Sequence, residues 1–275
     1  MQHPLTLGLA QIDVRLGELE ANVERHLEWI ERAHGDGVEL LLFPELSLTG
    51  YRLLHLTPRV AIDPATSPLV RRLAEAAGGM RVVVGAVEDD GAGVLYNSAL
   101  VLYRGEVAFT HRKLYLPTYG IFQEERFFGA GRQLAKAAVD GDHFGLLICE
   151  DLWHPHLARG LALQGIRLLS VISASPGRIG SGERVESLDT WESLTRATAL
   201  VNTCWVAYCN RVGWEEGSFY PGGSHIVWPG GEILASAPCF EEHLLVARLD
   251  LRESDRLRWR LPLVKDERDD IEGLP

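Results

Sequence analysis

The chain has 275 residues, 46% of them hydrophobic and 24% charged, a balance that suits a packed globular protein and excludes a disordered one. Its net charge of −11 offers phosphate backbones no global attraction, so nucleic acid is not an expected partner. No apolar span approaches the ~20 residues of a transmembrane helix, and the N-terminus lacks a basic n-region and a cleavage pattern, so a cytoplasmic protein free of the membrane is expected.

In chain order, "LTLGLAQI" (5–12) predicts a first strand. A helix follows over 18–34, with Leu19, Val23, Leu27 and Ile30 at helical spacing and charges opposite. "VELLLFP" (38–44) predicts a strand and 66–77 a helix, and "RVVVGAVE" (81–88) and "LYNSALVLY" (95–103) predict two more strands. "YRGEV" (103–107) reads as a hairpin turn. "FGLLIC" (144–149) and "IRLLSVIS" (166–173) are continuously apolar, the mark of strands buried on both faces.

"GRIGSGE" (177–183) reads as a loop whose glycine spacing fits no nucleotide fingerprint. A helix over 188–202 then precedes strands at 205–210, 224–228 and 243–251. The basic run "RLRWR" (256–260) reads as solvated surface, and "DERDDIEGLP" (266–275) as part of a polar tail beginning at about 265. Cys149, Cys204, Cys209 and Cys239 form no CxxC pair and no even framework, which reads as reduced thiols; Cys204 and Cys209, five apart, are expected on opposite faces of one strand. Alternating helices and strands mixed with hairpins predict a layered α/β architecture in one domain, 1–275.

No Walker loop, HExxH or GxSxG occurs, and His154 and His156 lack an obvious third ligand, so neither a metal nor another cofactor is expected. Three chemistry-bearing residues instead stand at strand ends: Glu45 in "LLLFPELSLTGY", Lys113 in "AFTHRKLYLP" and Cys149 in "FGLLICEDLWHP". A thiol nucleophile needs a proton acceptor, and the oxyanion it creates needs positive donors. A carboxylate, an ammonium and a thiol would supply all three. Each also has a plain structural reading as turn cap, surface lysine or core cysteine, and spacing alone leaves both open. Glu150 and Asp151 sharpen the problem, because adjacent carboxylates oppose ionisation of a thiol.

Together, "FPELSLTGY", "HRKLYLP" and "CEDLWHP" resemble the three signature segments of the nitrilase-like carbon–nitrogen hydrolases, with similarity running from "LGLAQIDVRLGELEANV" to "RLRWRLPLVKDERDDI". The resemblance implies a four-layer αββα sandwich with Glu45, Lys113 and Cys149 as a catalytic triad. It also implies a second catalytic glutamate in "FQEERFFGAG", Glu124 in preference to Glu125. "YGIFQEERFF" and "CEDLW" are most similar to the glutaminase domain of glutamine-dependent NAD synthetases. That likeness gives Glu150 the substrate's α-amino group, lines the pocket with Tyr119 and Phe122, and brings Ser175 near, with Ser173 as the alternative. Asp151 is expected to cap the turn or helix that follows.

The implied activity is thiol-dependent hydrolysis of a small linear amide, glutamine first, to acid and ammonia. Nitrile or N-carbamoyl hydrolysis on the same residues, or a catalytically idle binding subunit, are the alternatives. No SGGxDS-type pyrophosphate loop occurs in the 275 residues, so NAD synthesis by this chain alone is not expected. The expectation is a free-standing amidase or a glutaminase subunit passing ammonia to a separate synthetase. The family resemblance further implies a homo-oligomer.

Overall fold

The computed structural model describes residues 4–139, 141–178 and 185–268; most of the expected 177–183 loop and of the tail from about 265 lies outside the described residues. The strands are β1 (Leu5–Gln11), β2 (Leu40–Leu42), β3 (Arg81–Asp89), β4 (Leu95–Tyr103), β5 (Glu106–Arg112), β6 (Ala137–Val139) and β7 (Asp142–Ile148). Then come β8 (Leu168–Ser173), β9 (Trp205–Asn210), β10 (Val212–Glu215), β11 (Ser218–Pro221), β12 (His225–Val227), β13 (Ile233–Ser236) and β14 (His243–Leu249). The helices are α1 (Leu19–Gly35), α2 (Thr57–Val60), α3 (Pro68–Ala77), α4 (Glu124–Phe127), α5 (Pro155–Leu163), α6 (Glu186–Asn202) and α7 (Arg252–Arg260).

Two six-stranded sheets form, ordered β14-β1-β2-β3-β4-β5 and β13-β12-β9-β8-β7-β6, with β10–β11 as a separate ribbon. Alternation along the strands shows why both sheets are buried on two faces. Leu40 and Leu42 of β2 pack inward with Leu7, Leu9 and Val101, against Ile148, Ile172 and Val206 of the second sheet. Leu41, Val82 and Leu100 point outward into a cluster with Val23 and Ile30 of α1 and Leu73 of α3. Helices α5 and α6 cover the second sheet's other face through Leu157, Leu161 and Ala199. Burying each such side chain contributes ~1.5–3 kcal/mol. The result is the four-layer αββα sandwich.

Local signals agree with these elements. Ser67 accepts the Val70 N–H (3.4 Å) ahead of Pro68, starting α3. Arg104 and Gly105, at φ 48° and 84°, make the tight turn of the β4–β5 hairpin. The four cysteines are free thiols. One expectation needs correction. Cys204 does not lie on a strand with Cys209; it sits just before β9, after the left-handed Thr203 that ends α6. "RLRWR" is helical and largely exposed, as a solvated surface, with the part-buried Arg258 as its anchor: its guanidinium donates to Ile166 O (2.6 Å) and Thr203 Oγ1 (3.2 Å), docking α7 on the second sheet's end. No helix among the described residues is long and apolar enough to cross a membrane.

Both sheets have parallel centres, β1–β2–β3 in one and β7–β8–β9 in the other. Parallel strands deliver their C-terminal ends to one edge, where α/β sheets gather functional groups. The segments bearing Glu45 (after β2), Cys149 (after β7) and Ser173 (end of β8) leave there.

Candidate active site

Glu45 leaves β2 through Phe43 and Pro44 into a turn where Leu46 is left-handed (φ 48°). Gly85 of β3 runs against that turn. A Cβ there would stand 2.2 Å from Leu46 N and 2.6 Å from Pro44 O, so only glycine permits the approach. Lys113, one residue past β5, donates its N–H to Asn97 O (2.9 Å) and accepts from Gly131 N (2.7 Å), which fixes its backbone on both sides. Cys149 is itself left-handed, at φ 43°, where β7 breaks into a single 3₁₀ turn (Cys149–Trp153). A non-glycine residue held there costs of order 1–3 kcal/mol, and such strain clusters at functional sites.

The side chains converge. Lys113 Nζ donates to Glu45 Oε1 (2.7 Å) and Glu124 Oε1 (2.6 Å), all three residues being buried. Glu45 also accepts from Asn97 Nδ2 (2.8 Å) and, through Oε2, from the Ala174 N–H (2.8 Å). One residue earlier, Ser173 Oγ donates to Cys149 Sγ (3.3 Å). Consecutive residues at the end of β8 thus hold the thiol and the Glu45 carboxylate. Glu124 accepts a further bond at Oε1 from Tyr51 OH, while its Oε2 is buried with no protein donor among the described residues.

The electrostatics follow from burial. Burial by itself would lower the Lys113 pKa, but the Glu124 and Glu45 carboxylates reverse this and hold the ammonium well above its ordinary value. Burial raises Glu124 to about 7, against the opposing pull of Lys113. Burial first, and the Glu45 carboxylate second, push the Cys149 thiol well above its usual range. Both effects favour the neutral thiol, with the Lys113 ammonium as the opposing pull. An ammonium has three N–H donors, and two are committed to Glu45 and Glu124, leaving one for an incoming atom.

Asp151 is wholly buried and turns back to cap the 3₁₀ turn at Ile148 N, the turn half of the expectation; helix α5 that follows takes no side-chain cap. Its Oδ1 accepts from the N–H groups of Leu114 (2.9 Å) and Tyr115 (3.0 Å), and its Oδ2 from Ile148 N (3.1 Å) and His111 Nε2 (3.0 Å). The carboxylate beside the thiol thus clamps the Cys149 turn to the Lys113 loop. It is satisfied by four donors rather than left as a bare charge.

Glu150 faces the other way, into a cavity of about 590 Å³ that also reaches Cys149. Tyr119 OH donates to Glu150 Oε2 (2.6 Å), Tyr119 stacks edge-on with Phe122, and both line the cavity. Ser175 lines it too and accepts from Trp191 Nε1 (2.7 Å), whereas Ser173 lies beneath the thiol, outside the lining. Glu125 borders a neighbouring hollow and has no contact with Lys113 among the described bonds. A second hollow of about 610 Å³, around Asp63, Arg71 and Arg112, contains none of these groups.

Several participants had not been singled out from sequence. Tyr51 ends the quoted "FPELSLTGY", and Asn97 is a polar residue inside the apolar strand "LYNSALVLY"; both were legible as anomalies. Trp153, Arg178 and Phe219, which also line the cavity, carried no such signal.

The family model described as carbon–nitrogen hydrolase matches residues 6–258. The glutamine-dependent NAD(+) synthetase of Aquifex aeolicus is 34% identical over 266 residues, which are 93% of this chain and 45% of that protein. The chain thus spans less than half the length of such relatives. A solved glutamine-dependent NAD+ synthetase from Acinetobacter baumannii superposes with a TM-score of 0.81 at 28% identity, over 91% of this chain and 46% of that one. An amidase from Nesterenkonia sp. AN1, solved with the acetamide moiety of fluoroacetamide added covalently at its active-site cysteine, gives 0.79 at 26% identity, over 97% and 95%. With the family model matched over residues 6–258, and an amidase of the nitrilase superfamily among the solved structures it resembles, the chain belongs to the carbon–nitrogen hydrolase family, enzymes that hydrolyse carbon–nitrogen bonds, within the nitrilase superfamily.

Proposed function

We propose that the chain is a thiol amidohydrolase that cleaves a small linear amide, with glutamine the leading substrate, to acid and ammonia. The observation that carries this reading is the buried Lys113 bridge between Glu45 and Glu124, joined through Ser173 and Ala174 to the Cys149 thiol at a cavity wall. Glu45 accepts the thiol proton as Sγ attacks the amide carbon. The tetrahedral oxyanion takes the remaining Lys113 N–H and the backbone N–H of Glu150. Glu45 returns the proton to the nitrogen, the C–N bond breaks, and ammonia leaves a thioester on Cys149. Water, deprotonated by Glu45, attacks that thioester; the acid departs and the proton returns to sulfur.

Glutamine leads because the cavity offers an acid, Glu150, and a base, Arg178, which match an α-amino acid's two charges. The likeness to glutamine-dependent synthetases supports the same substrate. The Nesterenkonia neighbour supports the simpler amide reading. A homo-oligomer and a separate ammonia-accepting synthetase remain part of this proposal as partners. The test is an ammonia-release screen over glutamine, asparagine, ω-amides, carbamoyl amino acids and nitriles, run on wild type and Glu150→Ala. Glutamine should lead for the wild type, and Glu150→Ala should raise KM for glutamine at least about tenfold, as loss of a charge-assisted bond does, while sparing an uncharged amide. Equal effects on both amides would remove Glu150 from substrate selection.

A further inference from the structure

Beyond the cluster lies a buried ion pair that the proposed reaction does not use. Glu215, at the end of β10, is 5% exposed and receives Arg211 Nη1 at 2.6 Å; Arg211 is wholly buried and lies over the Tyr220 ring (4.2 Å). The Glu215 carboxylate also accepts two backbone N–H groups from a distant segment, Tyr51 (3.0 Å) and Arg52 (2.6 Å). Gly50 is left-handed (φ 82°), and a Cβ there would stand 2.8 Å from Glu215 Oε2, so this glycine lets the segment close on the carboxylate. Arg52 Nη1 completes the strap by donating to Glu216 O (2.5 Å).

That segment delivers Tyr51 OH to Glu124 Oε1. With Lys113 bonded to the same oxygen, Oε1 is fully occupied, and Oε2 is the one oxygen of Glu124 left open. The turn after β10 and the start of β11 meanwhile form cavity wall, through Gly217, Ser218 and Phe219. We infer that Glu215 is a positioning residue, which fixes Tyr51 and through it the orientation of Glu124, and that the β10–β11 ribbon ties the substrate-facing wall to that orientation. The inference rests on the function proposed above.

A double-mutant cycle of Tyr51→Phe and Glu215→Gln tests it, read as kcat and KM for ammonia release, with the iodoacetamide alkylation rate of Cys149 measured in the same four proteins. Each single change should lower kcat by about 10- to 100-fold, the scale of a small misplacement near the chemistry. KM should move less than about twofold, as expected when ground-state binding is kept. The double variant should be no worse than the poorer single one, and alkylation rates should show the same non-additivity. Losses that multiply, or a folded Glu215→Gln with normal kcat, overturn the inference. Should Glu215→Gln fail to fold, Glu215→Asp keeps the charge against Arg211 but shortens the reach to both N–H groups and runs through the same cycle. A wild type that releases ammonia from no amide defeats the proposed function alone, and the alkylation rates still decide the role of Glu215.

Discussion

Lys113 is the residue on which the cluster's charge balance depends, since it faces two buried carboxylates, Glu45 and Glu124. Removing one oxyanion donor typically costs ~10²–10³ in kcat, so Lys113→Ala should fall at least that far in ammonia release; a soluble Lys113→Ala protein with near-normal turnover would refute its role. Glu124 gives a second handle. Its folded value of about 7 lies above its ordinary 4.5, so between these pH values the native state keeps a proton that the unfolded chain has lost. Stability from this group is complete below about 4.5 and is lost as pH rises through about 7. Urea unfolding at pH 5 and pH 8 should therefore show a larger loss for wild type than for Glu124→Gln; equal losses would contradict the assignment. The identities of these residues were legible because each sits in a recognisable segment. The distant partners of Asp151 were not, because a carboxylate leaving a strand gives no sequence sign that His111, Leu114 and Tyr115 will meet it.

At the scale of elements, the site is a junction of strand ends held by backbone donors. Asp151 satisfies three N–H groups and His111 across two loops. Asp151→Ala strands those buried donors at ~1–3 kcal/mol each, so it should cost about 3 kcal/mol or more in urea unfolding and reduce activity with it; an unchanged midpoint would show that the clamp does not bear on stability. Strands β3, β4, β7, β8 and β9 were readable from continuous apolar runs, because two-sided burial leaves no polar alternation. The β10–β11 ribbon was not, since "VGWEEGSFYP" is short, charged and stabilised by Glu215 contacts far away in sequence. Helix α5 escaped notice for a related reason: it is only nine residues, opening on Pro155 directly after the 3₁₀ turn.

Over the whole molecule, the fold turns four distant segments into one chemical unit: the first sheet supplies Glu45 and Lys113, the second Cys149, and the start of α4 brings Glu124. The sandwich itself followed from the resemblance more than from periodicity, because apolar runs predict buried strands but do not say which sheet each strand joins. The central claim is that Cys149 forms the bond to substrate. Its most direct measurement is mass spectrometry of wild type and Cys149→Ala quenched during glutamine turnover, with ammonia followed in parallel. A glutamyl adduct should appear on the Cys149 peptide of the wild type, and neither adduct nor ammonia from Cys149→Ala; ammonia released by Cys149→Ala at the wild-type rate would show that Cys149 is not the nucleophile.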